Sequence, residues 1–319
     1  MTRLRCAILD DYFNLALSVA DWSKIKDRVD VTVFHQPFAS PEAAAGTLKD
    51  FEIICAMRER TAFPRAMFAA LPNLKLLITS GMRNNSIDMA AAKEKQVALC
   101  GTHWPRDPTA PLTMGLILEL TRNIGRESGR MHAGEPWQKF VGIEIEGKTL
   151  GVVGLGKLGA KVSGLAKAFD MNVIAWSPNL TAERCKEVGV GYATKEELFS
   201  TADIITIHVV LSDRSRGLVG SADLARMKPS SYLVNTARGP IVDEAALLET
   251  LKARKIAGAA VDVFSVEPLP VDHPFRKLDN IVLTPHLGYV TEESFRAHYS
   301  QMVEGIDAWF KGEPVRRLA

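Results

Sequence analysis

The chain has 319 residues, 47% of them hydrophobic and 24% charged, with a formal net charge of +2. This is the composition of a soluble globular protein of about two domains. The basic residues are scattered and no apolar run is long enough to span a bilayer, so neither nucleic acid nor a membrane is expected as a partner. The apolar segment near Met1 is too short for a leader and reads as a first strand. Cys6, Cys55, Cys100 and Cys185 show neither CxxC nor Cys/His zinc spacing. They are expected to be buried, reduced thiols of a cytoplasmic protein without a metal site.

Residues 1–102 alternate short apolar runs with helical patterns. Strands are expected at Leu4–Leu9, Val29–Phe34, Glu52–Ala56, Leu74–Thr79 and Val97–Cys100, with helices at Ala43–Leu48, Pro64–Leu71 and Ile87–Lys95. Regular alternation argues for a parallel, doubly wound sheet. Ligands bind at the carboxyl ends of such strands, and the loop Ser80-Gly-Met-Arg-Asn-Asn85 follows the fourth. Arg83 there reads either as an anion contact or as a solvated surface residue.

The alternation breaks over 103–148. A proline-rich connector, His103 to Pro111, leads into one long helical pattern through Leu112, Leu116, Leu120 and Ile124. A domain crossover is placed here. Trp104 and Trp137 are read as packing residues before interface or lid residues.

A second series starts at Thr149-Leu-Gly-Val-Val-Gly-Leu-Gly-Lys-Leu-Gly159. A strand pattern runs into Gly154-x-Gly156-x-x-Gly159, and a helical pattern follows. Physically, Gly154 permits the turn, Gly156 lets backbone approach a pyrophosphate, and Gly159 lets the helix lie close on the sheet. Further strands at Val173–Trp176, Ile204–Val209, Tyr232–Asn235, Ala259–Val263 and Ile281–Leu283 make a six-stranded sheet. The second strand ends in Ser177, where an NAD-binding unit usually carries an acid for the ribose hydroxyls; the choice between NAD and NADP therefore stays open. Thr291–Gly312 reads as one long helix able to fold back on the first domain.

Three strand ends carry chemistry: Arg238 in Asn-Thr-Ala-Arg-Gly-Pro, Asp262 and Glu267 in Val-Asp-Val-Phe-Ser-Val-Glu-Pro, and His286 in Thr-Pro-His-Leu-Gly. Taken singly, these read equally as a surface ion pair, a solvated acid and a satisfied loop histidine. Together they meet the needs of 2-oxoacid reduction. A guanidinium can fork a carboxylate, an imidazole can supply a proton to the ketone oxygen, and a neighbouring carboxylate can orient that imidazole. Asp262 would meet the carboxamide of a nicotinamide.

With these motifs in order, the chain resembles the D-isomer-specific 2-hydroxyacid dehydrogenases. Met227-Lys-Pro-Ser-Ser-Tyr-Leu-Val-Asn-Thr-Ala-Arg-Gly-Pro-Ile-Val-Asp243 matches that family's signature almost residue for residue, and the resemblance covers nearly the whole chain. It implies a fold of two doubly wound α/β domains. A Rossmann cofactor domain (103–286) is inserted into a flavodoxin-like substrate domain (1–102 and 287–319), with the cleft between them. It implies NAD or NADP as cofactor, held by Gly154, Gly156, Lys157, Leu158, Gly159, Ser177, Thr236 and Asp262. Arg238, Glu267 and His286 are then catalytic, and the amides of Gly81, Met82 and Arg83 hold the substrate carboxylate.

The resemblance further implies a homodimer formed through the cofactor domain, and no regulatory domain beyond residue 319. Arg83, Ser177 and Tyr289 depart from the family pattern and bear on substrate and cofactor choice. Formate enzymes of this type carry glutamine where Glu267 stands, which argues against that branch. The alternative function is a dinucleotide-sensing, corepressor-like scaffold with little turnover.

Overall fold

Five short aliphatic runs form the first sheet: β1 (Leu4–Ile8), β2 (Val29–Val33), β3 (Ile53–Ala56), β4 (Leu76–Thr79) and β5 (Ala98–Gly101). β3 and β4 are buried at every position, as strands covered on both faces must be. All pairings are parallel, in the order β2-β1-β3-β4-β5. This is the flavodoxin-like order. The computed structural model describes residues 2–104 and 106–318. Met1, Pro105 and Ala319 fall in the first-strand segment, the proline-rich connector and the chain end of the sequence reading, and lie outside the described residues.

The crossover helices include Pro41–Leu48 and Met89–Glu94, which begin at capped turns. The Ala43 amide donates to the Ser40 hydroxyl and the Ala91 amide to the Asp88 carboxylate. Residues 10–28, given no element from sequence, hold a helix at Ala16–Val19 and a 3-10 turn at Trp22–Ile25. Four residues are too few to display a helical period.

The helix Glu292–Phe310, capped by Thr291, belongs to this same unit. Gly305 lies against β4, where an added Cβ would sit 3.0 Å from Ile78 Cδ1. One compact unit thus comprises the chain up to Arg106 and from Thr291 onward; the other runs from Asp107 to Val290. The sequence boundaries stood after Thr102 and His286. His103 stays with the first unit because it exchanges two hydrogen bonds with Gln301, at 2.7 and 3.1 Å. The turn after His286 stays with the second because Asp262 accepts the Leu287 and Gly288 amides.

The second unit contains β6 (Thr149–Val153), β7 (Asn172–Trp176), β8 (Gly191–Tyr192), β9 (Ile204–Ile207), β10 (Tyr232–Asn235), β11 (Gly258–Val261) and β12 (Ile281–Leu283). They pair in parallel in the order β12-β11-β10-β9-β6-β7-β8. The expected six strands are therefore seven. β8 is a two-residue, exposed edge strand without an apolar run, and only its pairing with Ile174 and Ala175 defines it. Alternate residues feed opposite cores, with Ile205, Leu233 and Ala259 on one face and Ile204, Val234 and Ala260 on the other.

The long helix expected through Ile124 is also corrected. It is two helices, Thr109–Arg122 and Ile124–His132, broken at Asn123 with φ +55. Asparagine tolerates this left-handed conformation where most side chains do not. None of the residues of the second helix is buried. Trp137 is 72% exposed, against the packing role expected of it. All four cysteines are free and buried. Among the described residues, no helix is long and apolar enough to cross a membrane.

Candidate active site

The strand order of the second unit reverses beside β6, which lies between β9 and β7. In such sheets the crevice outside the carboxyl ends at this point receives ligands. Gly154 leaves β6 with φ +102, and an added Cβ would lie 2.7 Å from Val209 Cγ1 and 2.9 Å from the His208 carbonyl. A Cβ on Gly159 would lie 2.0 Å from the Gly154 oxygen, so the helix Lys157–Ala168 can approach β6 this closely only with glycine there.

Gly156 is different, because an added Cβ would meet nothing within 4 Å. It stands at the N-cap of that helix, without a side-chain cap bond or a first-turn acid among the described residues. Open space in front of uncapped N–H groups, at the positive end of a helix dipole, fits a pyrophosphate.

The other residues expected to bind cofactor lie in the same unit. The Lys157 ammonium is 3.1 Å from Asp107, and its side chain is 79% exposed. Leu158 is half-buried and packs on the core. Ser177 follows β7, the neighbour of β6, and is half-buried. Thr236 is buried and shares a 3.0 Å hydrogen bond with Thr113.

Because β10, β11 and β12 are adjacent and parallel, their carboxyl ends bring Arg238, the 262–267 segment and His286 to one edge. Asn235 closes the turn after β10. Its amide donates to the Arg238 carbonyl and its oxygen accepts the Ala237 N–H, both at 3.0 Å. Arg238 Nη1 donates to the Ala237 carbonyl at 2.8 Å. Gly239 then presses this turn onto the next strand end, where an added Cβ would lie 2.1 Å from the Phe264 carbonyl carbon.

Asp262 is 0% exposed. Its carboxylate accepts the Thr284 hydroxyl at 2.6 Å, the Leu287 amide at 2.7 Å and the Gly288 amide at 2.9 Å. Its carbonyl accepts the His286 amide at 2.8 Å. These bonds fix the turn in which His286 holds φ +54, an uncommon conformation for a residue with a Cβ. Burial pushes the Asp262 pKa up. The Thr284 bond, the Leu287 and Gly288 amides and the His286 charge offset this only in part.

His286 Nδ1 and Glu267 Oε2 are 2.6 Å apart, and Glu267 Oε1 accepts the Phe264 amide at 2.8 Å. Burial pushes the Glu267 pKa up. The bond and charge of His286, the Phe264 amide and the Arg238 charge together outweigh burial, so the net direction is downward. Glu267 is thus a carboxylate at neutral pH, and a carboxylate only accepts. Nδ1 therefore carries a proton and donates, leaving Nε2 as the nitrogen that can give or take one. Tyr289 is buried, with its ring edge-on to His286 at 5.8 Å.

Gly81, Met82 and Arg83 belong to the other unit. Gly81 is buried with φ +91, and its amide donates to the Thr102 hydroxyl at 2.9 Å. Met82 is half-buried and Arg83 exposed. Sequence reasoning singled out none of Asn235, Gly239, Thr284, Thr102 or His298. The first three lie within the motifs already quoted and act by holding backbone rather than by reacting.

Fold and site define a two-unit α/β protein with a dinucleotide crevice and a histidine–carboxylate pair beside it on one sheet edge. Residues 114–288 match the model of the D-isomer specific 2-hydroxyacid dehydrogenase, NAD binding domain. The chain belongs to the D-isomer-specific 2-hydroxyacid dehydrogenases, and its second unit is their NAD(P)-binding domain. It is 39% identical over 270 residues to a D-3-phosphoglycerate dehydrogenase of Methanocaldococcus jannaschii, covering 83% of this chain and 51% of that one. The chain spans about half the length of the first curated relatives it matches. Among solved structures, a phosphoglycerate oxidoreductase of Vibrio cholerae superposes with a TM-score of 0.92 at 33% identity, covering 97% of this chain and 99% of that one. The apo D-lactate dehydrogenase of Escherichia coli superposes with a TM-score of 0.84 at 26% identity, covering 99% and 100%.

Proposed function

We propose that the protein is a cytoplasmic NAD(P)-dependent oxidoreductase that interconverts a small 2-oxoacid and its D-2-hydroxyacid. The observation that carries this reading is the 2.6 Å pair of His286 Nδ1 and the Glu267 carboxylate, on the same edge as Arg238. The first unit is the substrate domain and the second the cofactor domain. When bound, the reduced nicotinamide supplies the hydride to the substrate C2. Arg238 forks the substrate carboxylate and polarises the ketone. His286 gives a proton to the ketone oxygen as charge develops there, and Glu267 holds the imidazole in the tautomer and orientation this needs. The loop Gly81-Met82-Arg83 takes the carboxylate through its Met82 and Arg83 amides, the Gly81 amide being held by the Thr102 hydroxyl. In the opposite direction His286 accepts the hydroxyl proton.

Gly154, Gly156, Lys157, Leu158, Gly159, Ser177, Thr236 and Asp262 are the proposed cofactor contacts. Ser177 offers a neutral hydroxyl, which repels neither a ribose hydroxyl nor a 2′-phosphate. The proposed homodimer uses the cofactor domain, where Ile124, Met131, Trp137 and Val141 are 55%, 55%, 72% and 96% exposed; light scattering on the purified protein tests it.

The function is tested by following loss of reduced-nicotinamide absorbance with NADH and with NADPH, against glyoxylate, hydroxypyruvate, pyruvate and phenylpyruvate. Turnover of one or more is expected, and the comparison of the two cofactors decides the preference. Dinucleotide binding with no turnover of any would replace this reading by the dinucleotide-sensing scaffold.

A further inference from the structure

A histidine that the proposed chemistry does not use stands behind the Gly81 loop. The Gly81 amide donates to Thr102 Oγ1 at 2.9 Å, and the same oxygen is 2.7 Å from His298 Nδ1. Thr102 and His298 are both 0% exposed. Burial, with the charge of Arg58 added, pushes the His298 pKa down to about 3, so the ring is neutral. Since the Gly81 N–H must donate, Oγ1 accepts there. The hydroxyl hydrogen then goes to Nδ1, the only other partner of Oγ1 among the described residues. Nδ1 is therefore the acceptor and Nε2 carries the ring hydrogen. The result is a directed chain, Gly81 N–H to Thr102 O–H to His298 Nδ1, and the Trp104 ring packs edge-on to the imidazole at 4.3 Å.

The loop has little freedom elsewhere. A Cβ on Gly81 would lie 2.5 Å from Arg58 Nη1, and one on Gly101 would lie 2.5 Å from the Gly81 oxygen. At the far end, Asn84 Nδ2 donates to the Arg58 carbonyl at 2.6 Å and to Thr79 Oγ1 at 2.9 Å. Between these clamps, Gly81 is the residue whose backbone turns most freely. Its amide is the point where the side-chain relay takes hold.

We propose that His298 is a positioning residue: through the Thr102 hydroxyl it fixes the Gly81 amide, and so aims the Met82 and Arg83 amides at the substrate carboxylate. This rests on the reading of that loop as the carboxylate site. His298→Leu and His298→Asn both keep a side chain branched at Cγ, but only asparagine puts an acceptor where Nδ1 stood. Thr102→Val and Thr102→Ser form the matching pair for the hydroxyl.

Two measurements are made on each variant of the whole chain. Amide hydrogen exchange of Gly81 in 15N-labelled protein reads the relay directly. Steady-state kinetics reads its consequence.

His298→Leu and Thr102→Val are expected to speed Gly81 exchange and raise KM for the 2-oxoacid on the order of tenfold, the worth of one buried hydrogen bond. KM for the dinucleotide should stay unchanged and kcat fall much less. His298→Asn and Thr102→Ser should restore most of both. Unchanged Gly81 exchange and KM in His298→Leu and Thr102→Val would overturn the proposal. So would equal impairment within each pair, which would make the residues core filling only. If exchange follows the expected pattern but the wild type reduces no 2-oxoacid, the functional reading fails while the relay from His298 to Gly81 stands.

Discussion

Gly239 and Phe264 meet backbone to backbone, which ties the arginine-bearing strand end to the one that carries Glu267. A Cβ on Gly239 would lie 2.1 Å from the Phe264 carbonyl carbon, 2.4 Å from its oxygen and 2.6 Å from the Ser265 nitrogen. None of these is a flexible side chain that could swing away. Gly239→Ala must therefore push the two loops apart, and with them Arg238 and Glu267. Overpacking of this kind costs roughly 1–3 kcal/mol, and a displacement of about 1 Å can cost on the order of 100-fold in rate. Thermal unfolding and kcat/KM should fall together. A variant with wild-type kinetics would show that this contact does not set the catalytic spacing.

His286 and Arg238 should fail in different ways. His286→Ala removes the proton donor and leaves the crevice at Gly154 and Gly156 untouched. A loss of roughly 100- to 10,000-fold in kcat is expected, with dinucleotide affinity retained by fluorescence titration. Arg238→Ala removes both a binding charge and a polarising one, so KM should rise while kcat falls. Near-normal turnover in His286→Ala would remove the histidine from the mechanism. A change confined to melting temperature in Arg238→Ala would make that residue structural.

Much of this arrangement is legible in the sequence because it rests on apolar runs and reactive side chains. Ile204–Ile207 is buried throughout and Tyr232–Asn235 after its first residue, and Gly154, Arg238 and His286 each follow a short apolar strand. What stays hidden acts by close approach or at long range. β8 has no apolar run of its own. Asn123 interrupts a hydrophobic pattern that reads straight through it. Asn235 and Gly239 work through the backbone they hold. His298 sits beside Phe295, Tyr299 and Met302 on a helix face that looks like plain core, and its partner Thr102 is 196 residues away.

Acid should destabilise the protein in two windows. His298 is depressed from 6.5 to about 3 by burial, then by Arg58. Between those values the unfolded chain binds a proton that the native state refuses, so stability is full above pH 6.5 and falls as pH drops. One such proton is worth about 1.4 kcal/mol per pH unit. The Glu267 pKa lies below its ordinary 4.5, because His286, the Phe264 amide and Arg238 outweigh burial. Its contribution is present above pH 4.5 and is lost as pH falls through the lowered value. Denaturant unfolding between pH 7 and pH 3 tests this. His298→Leu should flatten the profile by about one proton below pH 6.5, and Glu267→Gln should alter only the limb below 4.5. An unchanged slope in His298→Leu would mean that this imidazole is protonated in the native state.

The three glycines of the crevice make a sharper test of dinucleotide binding than activity alone. A Cβ at Gly154 or Gly159 would run into backbone, and Gly154 also holds φ +102. Alanine at either should lower stability before any ligand is added. Gly156 has φ −76 and ψ −163, which any residue adopts, and open space where the Cβ would go. Gly156→Ala should therefore fold with a melting temperature close to wild type, since nothing in the chain is displaced. If backbone at 156 approaches a pyrophosphate, the added methyl occupies ground the phosphates need. The dissociation constant for NADH or NADPH should then rise by on the order of tenfold or more, the result of about 1.4 kcal/mol lost. Calorimetric titration of Gly156→Ala beside wild type reads this without any substrate. A stable Gly156→Ala variant that binds dinucleotide as tightly as wild type would place the phosphates elsewhere on the sheet edge.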